Sequence, residues 1–294
     1  MNIALVVNSR SGGGKGRRMG RAIARELTKH GIHFTQIREK SLGSSLESLS
    51  RIHAKDPFST IISVGGDGLA HHLFAYAIEW NIPILVAPAG TGNDFARSTG
   101  TFGLKAKQLV DLLATQSPVR IDMGEIQQGN ESHWFGQVLS TGFDSLVNER
   151  ANGIKGLTGK LKYVYATFRE LPFFVPRTYT VEIDGDTVVT GSMLVAIANG
   201  RSYGGGMLVC PDARFDDGLF DILLLKPIPI REFIRVFPRV FKGTHGRHPA
   251  VEIRRCSKIS LSADAIAYAD GERIGQLPIS AKVHPSIMQT WVIA

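Results

Sequence analysis

Apolar and polar positions change rhythm once along this chain. Up to about residue 125, apolar residues gather in short runs at Ile3–Asn8, Thr60–Val64 and Ile84–Ala87. Between the runs they recur every three or four residues, as at Ile23 and Leu27 within Arg17–His30. Runs of this kind predict strands covered on both faces, and the helical recurrence predicts the covering layers. With His33–Ile37 as a further strand, and Leu46–Lys55, Leu69–Trp80 and Lys105–Leu113 as helices, the order is strand and helix in alternation. That order predicts a parallel sheet covered on both sides.

From about Trp134 the rhythm changes, and some segments alternate more. Tyr179–Ile183 and Thr187–Ala198 flank Asp184-Gly185, a two-residue hairpin signal. Leu219–Lys226, Val251–Cys256, Lys258–Ser262, Ile266–Ala269 and Arg273–Lys282 read as further short strands, interrupted by helical stretches at Lys160–Leu171 and Arg231–Phe241. The second half is therefore expected to be mostly antiparallel β. The expected domains are 1–125 and 126–294, with room for the last residues to return to the first.

A chain of 294 residues suits two cores better than one. No run approaches the roughly 20 apolar residues that span a bilayer. The start, Met1 to Asn8, lacks a basic segment and reads as a buried strand rather than a signal peptide. Cys210 and Cys256 are too few for a disulfide framework or a four-thiolate zinc site, which fits two buried thiols in a reducing cytoplasm. The formal net charge of +8 admits three kinds of partner: nucleic acid, an anionic membrane surface, or phosphorylated ligands. Neither an RNA-binding aromatic motif nor zinc-finger spacing is present, which argues against nucleic acid.

Three glycine-rich loops carry the candidate chemistry. Gly65-Gly66-Asp67-Gly68 follows one expected strand and precedes a helix. Such a loop lets backbone N–H groups approach a phosphate, and the helix N-terminus adds partial positive charge. Ala87-Pro88-Ala89-Gly90-Thr91-Gly92-Asn93-Asp94-Phe95-Ala96 repeats the arrangement after the next strand, and both loops should face one crevice. The third loop, Asn8 to Gly16, is neither a Walker A loop nor a dinucleotide fingerprint: Gly16 follows Lys15, and Arg17 stands where a glycine is required. In the second half, Asp216-Asp217-Gly218 and Asp270-Gly271-Glu272 read as turns, the latter with a carboxylate placed as a general base would be. Adjacent His71 and His72 point about 100° apart on a helix, which disfavours a shared metal.

In this order the motifs resemble the diacylglycerol kinase catalytic family, specifically its bacterial soluble lipid kinases. The resemblance rests on Val7-Asn8 with its loop, Gly65–Gly68, Pro88–Ala96, Ser140-Thr141-Gly142-Phe143-Asp144, Gly159-Lys160-Leu161-Lys162-Tyr163, Asp217-Gly218-Leu219 and Asp270-Gly271-Glu272. It implies a Rossmann-like α/β nucleotide domain joined to a β-sandwich of the NAD kinase-like superfamily, with ATP in the cleft between them. It further implies transfer of the γ-phosphoryl group to a lipid hydroxyl, most simply that of diacylglycerol. ATP would contact Asn8, Gly65, Gly66, Asp67, Gly68, Leu69, Gly90, Thr91, Asn93 and Asp94. Asp67, Asp94 and Asp122 would organise a catalytic Mg²⁺, and Glu272 would accept the proton. Asp217, with the carbonyls of Arg214 and Leu219, matches the family's second, structural Mg²⁺ site.

Leu69, His71 and His72 stand where the family has Thr, Asn and Glu. They motivate the alternatives of a sphingoid-base or NAD kinase-like activity, or a catalytically weak regulator that binds ATP or lipid. The expected partners are ATP, a lipid acceptor and a transient anionic membrane surface, with room for a homodimer, at the periphery of a membrane. Arg235, Arg239, Lys242, Arg247, Arg254 and Arg255 are candidates to face that surface, and Leu171-Pro172-Phe173-Phe174-Val175 is either an acyl-chain surface or the buried end of a helix.

Overall fold

The alternating first part folds as β1 (Asn2–Val7), α1 (Ser11–Lys29), β2 (His33–Ile37), α2 (Leu42–His53), β3 (Thr60–Gly65), α3 (Asp67–Glu79), β4 (Ile84–Pro88), α4 (Asp94–Ser98) and α5 (Ala106–Thr115). The computed structural model describes residues 1–154 and 160–293. They divide into one unit of Met1–Ile121 with Ser286–Ala294 and a second of Asp122–Pro285.

In the first unit β2-β1-β3-β4 form a parallel sheet in that order. Ile23 and Leu27 of α1 and Leu109 and Val110 of α5 are buried against Leu5, Ile62 and Leu85 of the strands. All six residues of β3 are buried, which explains its unbroken apolar run. Near the chain's end Thr290 pairs with Ile84 in parallel register, and its hydroxyl donates to the Ile84 carbonyl at 2.7 Å. Although α1 is traced from Ser11, Gly12, Gly13 and Gly14 have φ of 55°, 66° and 91°. Regular helix therefore begins only after this left-handed stretch, close to the Arg17 start expected from periodicity.

The second unit contains β5 (Val119–Gln128), β6 (Glu131–Phe135), β7 (Val138–Gly142), α6 (Phe143–Gly153), α7 (Lys160–Glu170), β8 (Arg177–Ile183), β9 (Asp186–Ser192), β10 (Leu194–Ala198), β11 (Phe220–Leu225), α8 (Ile230–Val236), β12 (Val251–Cys256), β13 (Lys258–Ser262), β14 (Ile266–Ala269), β15 (Glu272–Gln276) and β16 (Ile279–Thr290). The first residues of β5 and the last of β16 belong to the first unit. One layer of the sandwich is the antiparallel sheet β12-β11-β10-β7-β14-β15. Facing it are β8 with β9, β13 and the start of β16, all antiparallel neighbours.

The core between the layers takes Val195 and Ile197 of β10, Phe220, Ile222 and Leu224 of β11, Tyr179 and Val181 of β8, and Ile259 and Leu261 of β13. The alternate residues Ala196, Ala198, Leu223 and Leu225 point the other way, into a second core with Phe143, Val147, Ala166 and Phe233 from the helices. The six-stranded sheet is thus covered on both faces, and for that reason Ile222 to Leu225 of β11 read as a continuous apolar run.

Two expected strands are each divided. Thr187–Ala198 breaks at Met193: β9 pairs with β8, whereas β10 pairs with β7 and β11 in the other layer. Arg273–Lys282 breaks at the cis peptide Leu277-Pro278, which separates β15 from β16. Gly159 lies outside the described residues, as do the side chains of Lys160 to Tyr163.

Candidate active site

In the first unit the three glycine-rich loops leave β1, β3 and β4 side by side. The strands stay in register to their ends: Asn8 N–H donates to the Val64 carbonyl at 2.9 Å, and Ala89 N–H to the Gly65 carbonyl at 2.7 Å. Glycine permits the closeness. A Cβ on Gly90 would collide with Cα of Gly66, and one on Gly12 with the carbonyl of Ala89. The Ser11 hydroxyl donates to that same Ala89 carbonyl at 3.2 Å. The loops therefore form one surface of backbone at the start of α3, where helix N–H groups lack partners within the helix.

Asp67 locks two of these loops together. Its carboxylate accepts from Asn93 N–H at 2.6 Å and from Asp94 N–H at 2.8 Å, so it serves as the anionic cap of α4. Asn93, at φ 55°, closes the loop on itself: its Oδ1 accepts from Gly90 N–H at 2.8 Å and its Nδ2 donates to the Gly90 carbonyl at 2.9 Å. The two carboxylates meet beside Gly92, where an added Cβ would lie 2.7 Å from Asp67 Oδ2 and 3.0 Å from Asp94 Oδ2. A glycine here keeps open a space bounded by two carboxylate oxygens. One or two carboxylates completed by substrate phosphates and water is the donor set Mg²⁺ ordinarily takes, so these residues fit that cation. Thr91 is exposed at the loop tip, and Asn8 is exposed at the end of β1. Leu69 is buried and turned inward: its side chain packs where a side chain on Gly65 would go.

In the second unit Asp122 is buried and organises the loop before β11. Its N–H donates to the Phe215 carbonyl, and its Oδ2 accepts from Gly218 N–H, both at 2.7 Å. Asp217 Oδ1 accepts from Leu219 N–H at 3.1 Å, while Oδ2 is ion-paired with Arg255. Arg214 grips Asp216 with two hydrogen bonds of 2.9 and 3.0 Å. At Asp217 the Arg255 guanidinium supplies positive charge in this structure.

Glu272 opens β15 directly after a turn that is rigidly held. The Asp270 carboxylate accepts N–H bonds from Gly136, Gln137 and Val138 at 2.8, 2.9 and 3.2 Å. Next door, Arg273 donates to Glu149 of α6 at 2.9 Å, as does the Tyr268 hydroxyl. These bonds, Arg273's first, hold the Glu149 carboxyl below the usual range. Among the described residues no hydrogen bond or ion pair engages the half-buried Glu272 carboxylate, in contrast to its neighbours on both sides.

A buried network lies at the start of α6. Asp144 accepts from the hydroxyls of Ser140 and Tyr203 and from Asn148 Nδ2. Burial pushes the Asp144 carboxyl up, against those three hydrogen bonds. Tyr203 precedes Gly204-Gly205-Gly206, all at positive φ, a run that none of the sequence motifs includes although its composition marks it as special backbone.

The comparisons with known proteins bear on the family. Residues 2–126 match the diacylglycerol kinase catalytic domain, and residues 137–292 match the YegS C-terminal NAD kinase beta sandwich-like domain. A diacylglycerol kinase of Mycobacterium tuberculosis is 32% identical over 290 residues, which cover 98% of this chain and 94% of that protein. This chain belongs to the diacylglycerol kinase family. It is a lipid kinase. Another member of the family, a diacylglycerol kinase of Bacillus subtilis, is 29% identical over 226 residues, covering 75% of this chain and 73% of that one. The crystal structure of a diacylglycerol kinase from Bacillus anthracis shares the fold at a TM-score of 0.74 and 16% identity, covering 99% of this chain and 97% of that one. No described helix is long and apolar enough to cross a membrane.

Proposed function

We propose that this kinase phosphorylates diacylglycerol to phosphatidic acid, with ATP as the donor. The observation that carries the reading is Asp67 bridging two glycine-rich loops while its carboxylate converges with that of Asp94 on the space beside Gly92. Backbone N–H groups of Gly66 and Gly68 at the start of α3 receive the phosphates, with Asn8, Gly65, Gly90, Thr91, Asn93 and the backbone of Leu69 framing the nucleotide. Asp67 and Asp94 would hold Mg²⁺, which when bound neutralises charge on the β- and γ-phosphates. Asp122 acts at one remove, through the backbone of Gly218.

In the step itself the lipid hydroxyl oxygen bonds to the γ-phosphorus as the bond to the ADP oxygen breaks, and the hydroxyl proton passes to Glu272. A carboxylate that no neighbour among the described residues engages is available for that proton, and the three-amide anchor of Asp270 fixes the turn from which it projects. The acyl chains need apolar surface. Phe173 and Val175, 73% and 64% exposed, offer it, while Leu171 of the same segment is buried. The acceptor resides in a bilayer, so the enzyme works at an anionic membrane surface.

The test is to incubate the protein with γ-labelled ATP, Mg²⁺ and separate samples of diacylglycerol, a sphingoid base and NAD, beside Asp67→Ala. The expected result is label in phosphatidic acid alone, nearly abolished in a folded Asp67→Ala protein. Label in the sphingoid base or NAD would replace the substrate assignment. An unchanged rate in Asp67→Ala would remove Asp67 from the site.

A further inference from the structure

The positive charge of the second unit is unevenly neutralised. Of the six cations expected to face a membrane, Arg254 is bonded to Glu252 at 2.6 Å, and Arg255 is paired with Asp217 and Asp221. The other four, Arg235, Arg239, Lys242 and Arg247, have no carboxylate partner among the described residues, and neither has Arg231. All five lie on one strap: α8, the 3-10 turns Phe237–Lys242 and His245–Arg247, and their links.

The strap is amphipathic in an unusual sense. Its inner face is ordinary core: Phe233 and Val236 are buried, and Phe233 stacks on Phe237 with centroids 5.4 Å apart. Its outer face is apolar as well as cationic. Ile230 and Ile234, one helical turn apart, are 41% and 46% exposed, and Phe241 is 42% exposed. Arg231 and Arg235 follow each isoleucine by one residue. With Arg239 they line a surface groove of about 390 Å³, together with Pro229, Glu232, Val236 and His248. The groove's carboxylate, Glu232, faces His248 Nε2 at 2.9 Å and leaves the arginines to an outside anion.

We propose that this strap is the element by which the kinase seats on an anionic bilayer, with Ile230, Ile234 and Phe241 entering the headgroup boundary and Arg231, Arg235 and Arg239 receiving phospholipid phosphates along the groove. Arginine suits that role because its planar fork pairs with phosphate oxygens in a bidentate manner. Exposed apolar residues flanked by unpaired cations are the composition of an interfacial segment. A solvated basic face of a helix, as α1 carries with Arg17, Arg18, Arg21 and Arg25, lacks the apolar half. The choice of a bilayer as occupant rests on the lipid-kinase reading, since the acceptor resides there.

The experiment is co-sedimentation of the intact protein with vesicles of phosphatidylcholine alone, and of phosphatidylcholine mixed equally with phosphatidylglycerol. Neither ATP nor an acceptor lipid is present, so binding is read apart from turnover. A protein that binds here and phosphorylates nothing would count against the kinase reading and not against this one. Wild type should bind the mixed vesicles, and raising salt from ~0.1 M to ~1 M should release it as the screening length falls from about 10 Å to about 3 Å. The triple change Arg231→Gln, Arg235→Gln, Arg239→Gln should lower the partition coefficient on the order of 100-fold. Ile234→Ser should lower it less. The matching change of Arg17, Arg18 and Arg21 to Gln should leave most binding in place. All altered groups are exposed, and near-UV dichroism verifies the fold. Equal binding of the strap variant and wild type, a loss confined to the α1 variant, or equal binding to both vesicle types would each overturn the proposal.

Discussion

Two hairpins of the second unit turn on Asp-Gly, at Asp184-Gly185 and Asp270-Gly271, and the two turns are built alike. At Asp184-Gly185, between β8 and β9, φ is 47° and 102°; at Asp270-Gly271, between β14 and β15, it is 52° and 89°. Both have the positive φ pair that matches the twist of a tight hairpin. In both, the Asp carboxylate reaches across to a junction between two other strands. Asp184 accepts from Ser257 and Lys258 N–H, at 3.1 and 2.9 Å, where β12 passes into β13. Asp270 accepts from Gly136, Gln137 and Val138, where β6 passes into β7. The two hairpins differ in the residue after the glycine, which is exposed Asp186 in the first and half-buried Glu272 in the second. The dipeptide is a structural staple in both places, and a turn that holds is separated from a turn that presents by the residue it delivers to the next strand.

Glu272→Gln is the strongest way to break that contrast. The amide keeps the shape and removes the proton acceptor, so kcat should fall on the order of 10²–10⁴ while nucleotide affinity stays nearly unchanged. Asp186→Asn, the equivalent change in the other hairpin, should leave kcat alone. Steady-state rates with a nucleotide titration measure both. Retained turnover in the Gln variant would make the two hairpins equivalent.

Stability should rank the staples themselves. Asp270→Ala strands three amides that received a charged acceptor, a loss of about 3 kcal/mol. Asp184→Ala exposes its former partners to water at an exposed turn, a loss of about 1 kcal/mol. Urea denaturation of both variants gives the ranking, and equal losses would show that burial does not distinguish them. The glycines sharpen the comparison from the other side. A Cβ would touch nothing within 4 Å at either Gly185 or Gly271. Alanine should therefore cost only the left-handed backbone penalty, about 1–2 kcal/mol at each, and a clear inequality would mean that one turn is strained by its surroundings.

Sequence patterning reached the turn chemistry of both hairpins and the staple of neither, for a physical reason. The turn chemistry is local, and the signal Asp-Gly between alternating residues is visible within a few letters. The acceptor role of Asp270 is not, since its partners lie 132 to 134 residues away. Long-range geometry also decided the strand breaks. No turn signal of the Asp-Gly kind marks Gly191-Ser192-Met193, although the chain changes layers there because Met193 N–H pairs with the Leu225 carbonyl and its own carbonyl with Phe143 N–H. In the first unit the continuous strands and their glycine loops announced the parallel sheet. They could not show Asp67 used as a cap for α4 or Leu69 folded back over Gly65, because both depend on how closely two loops approach.

The Asp184 staple carries a consequence that is invisible at neutral pH. Cys256 precedes the Ser257 amide that Asp184 binds, and it is buried in the core between the two layers of the sandwich. Burial first, and then the negative charge of Asp184, pushes its thiol up from the ordinary 9.0 to about 12. A raised pKa means that above pH 9 the unfolded chain gives up this proton while the folded protein keeps it. The linked stability is therefore fully present below pH 9 and is lost as pH rises from about 9 to about 12. Cys256→Ala removes that linkage and leaves a small cavity whose cost, about 1 kcal/mol, does not depend on pH. The advantage of wild type over Cys256→Ala in urea denaturation should be constant from pH 7 to about 9, and should then shrink steadily and reverse under stronger alkali. Subtracting the two proteins cancels the lysines and tyrosines that titrate in the same range. A difference that stayed flat up to pH 11 would show that the thiol titrates alike in the folded and unfolded chain, and that neither its burial nor the Asp184 carboxylate acts on it.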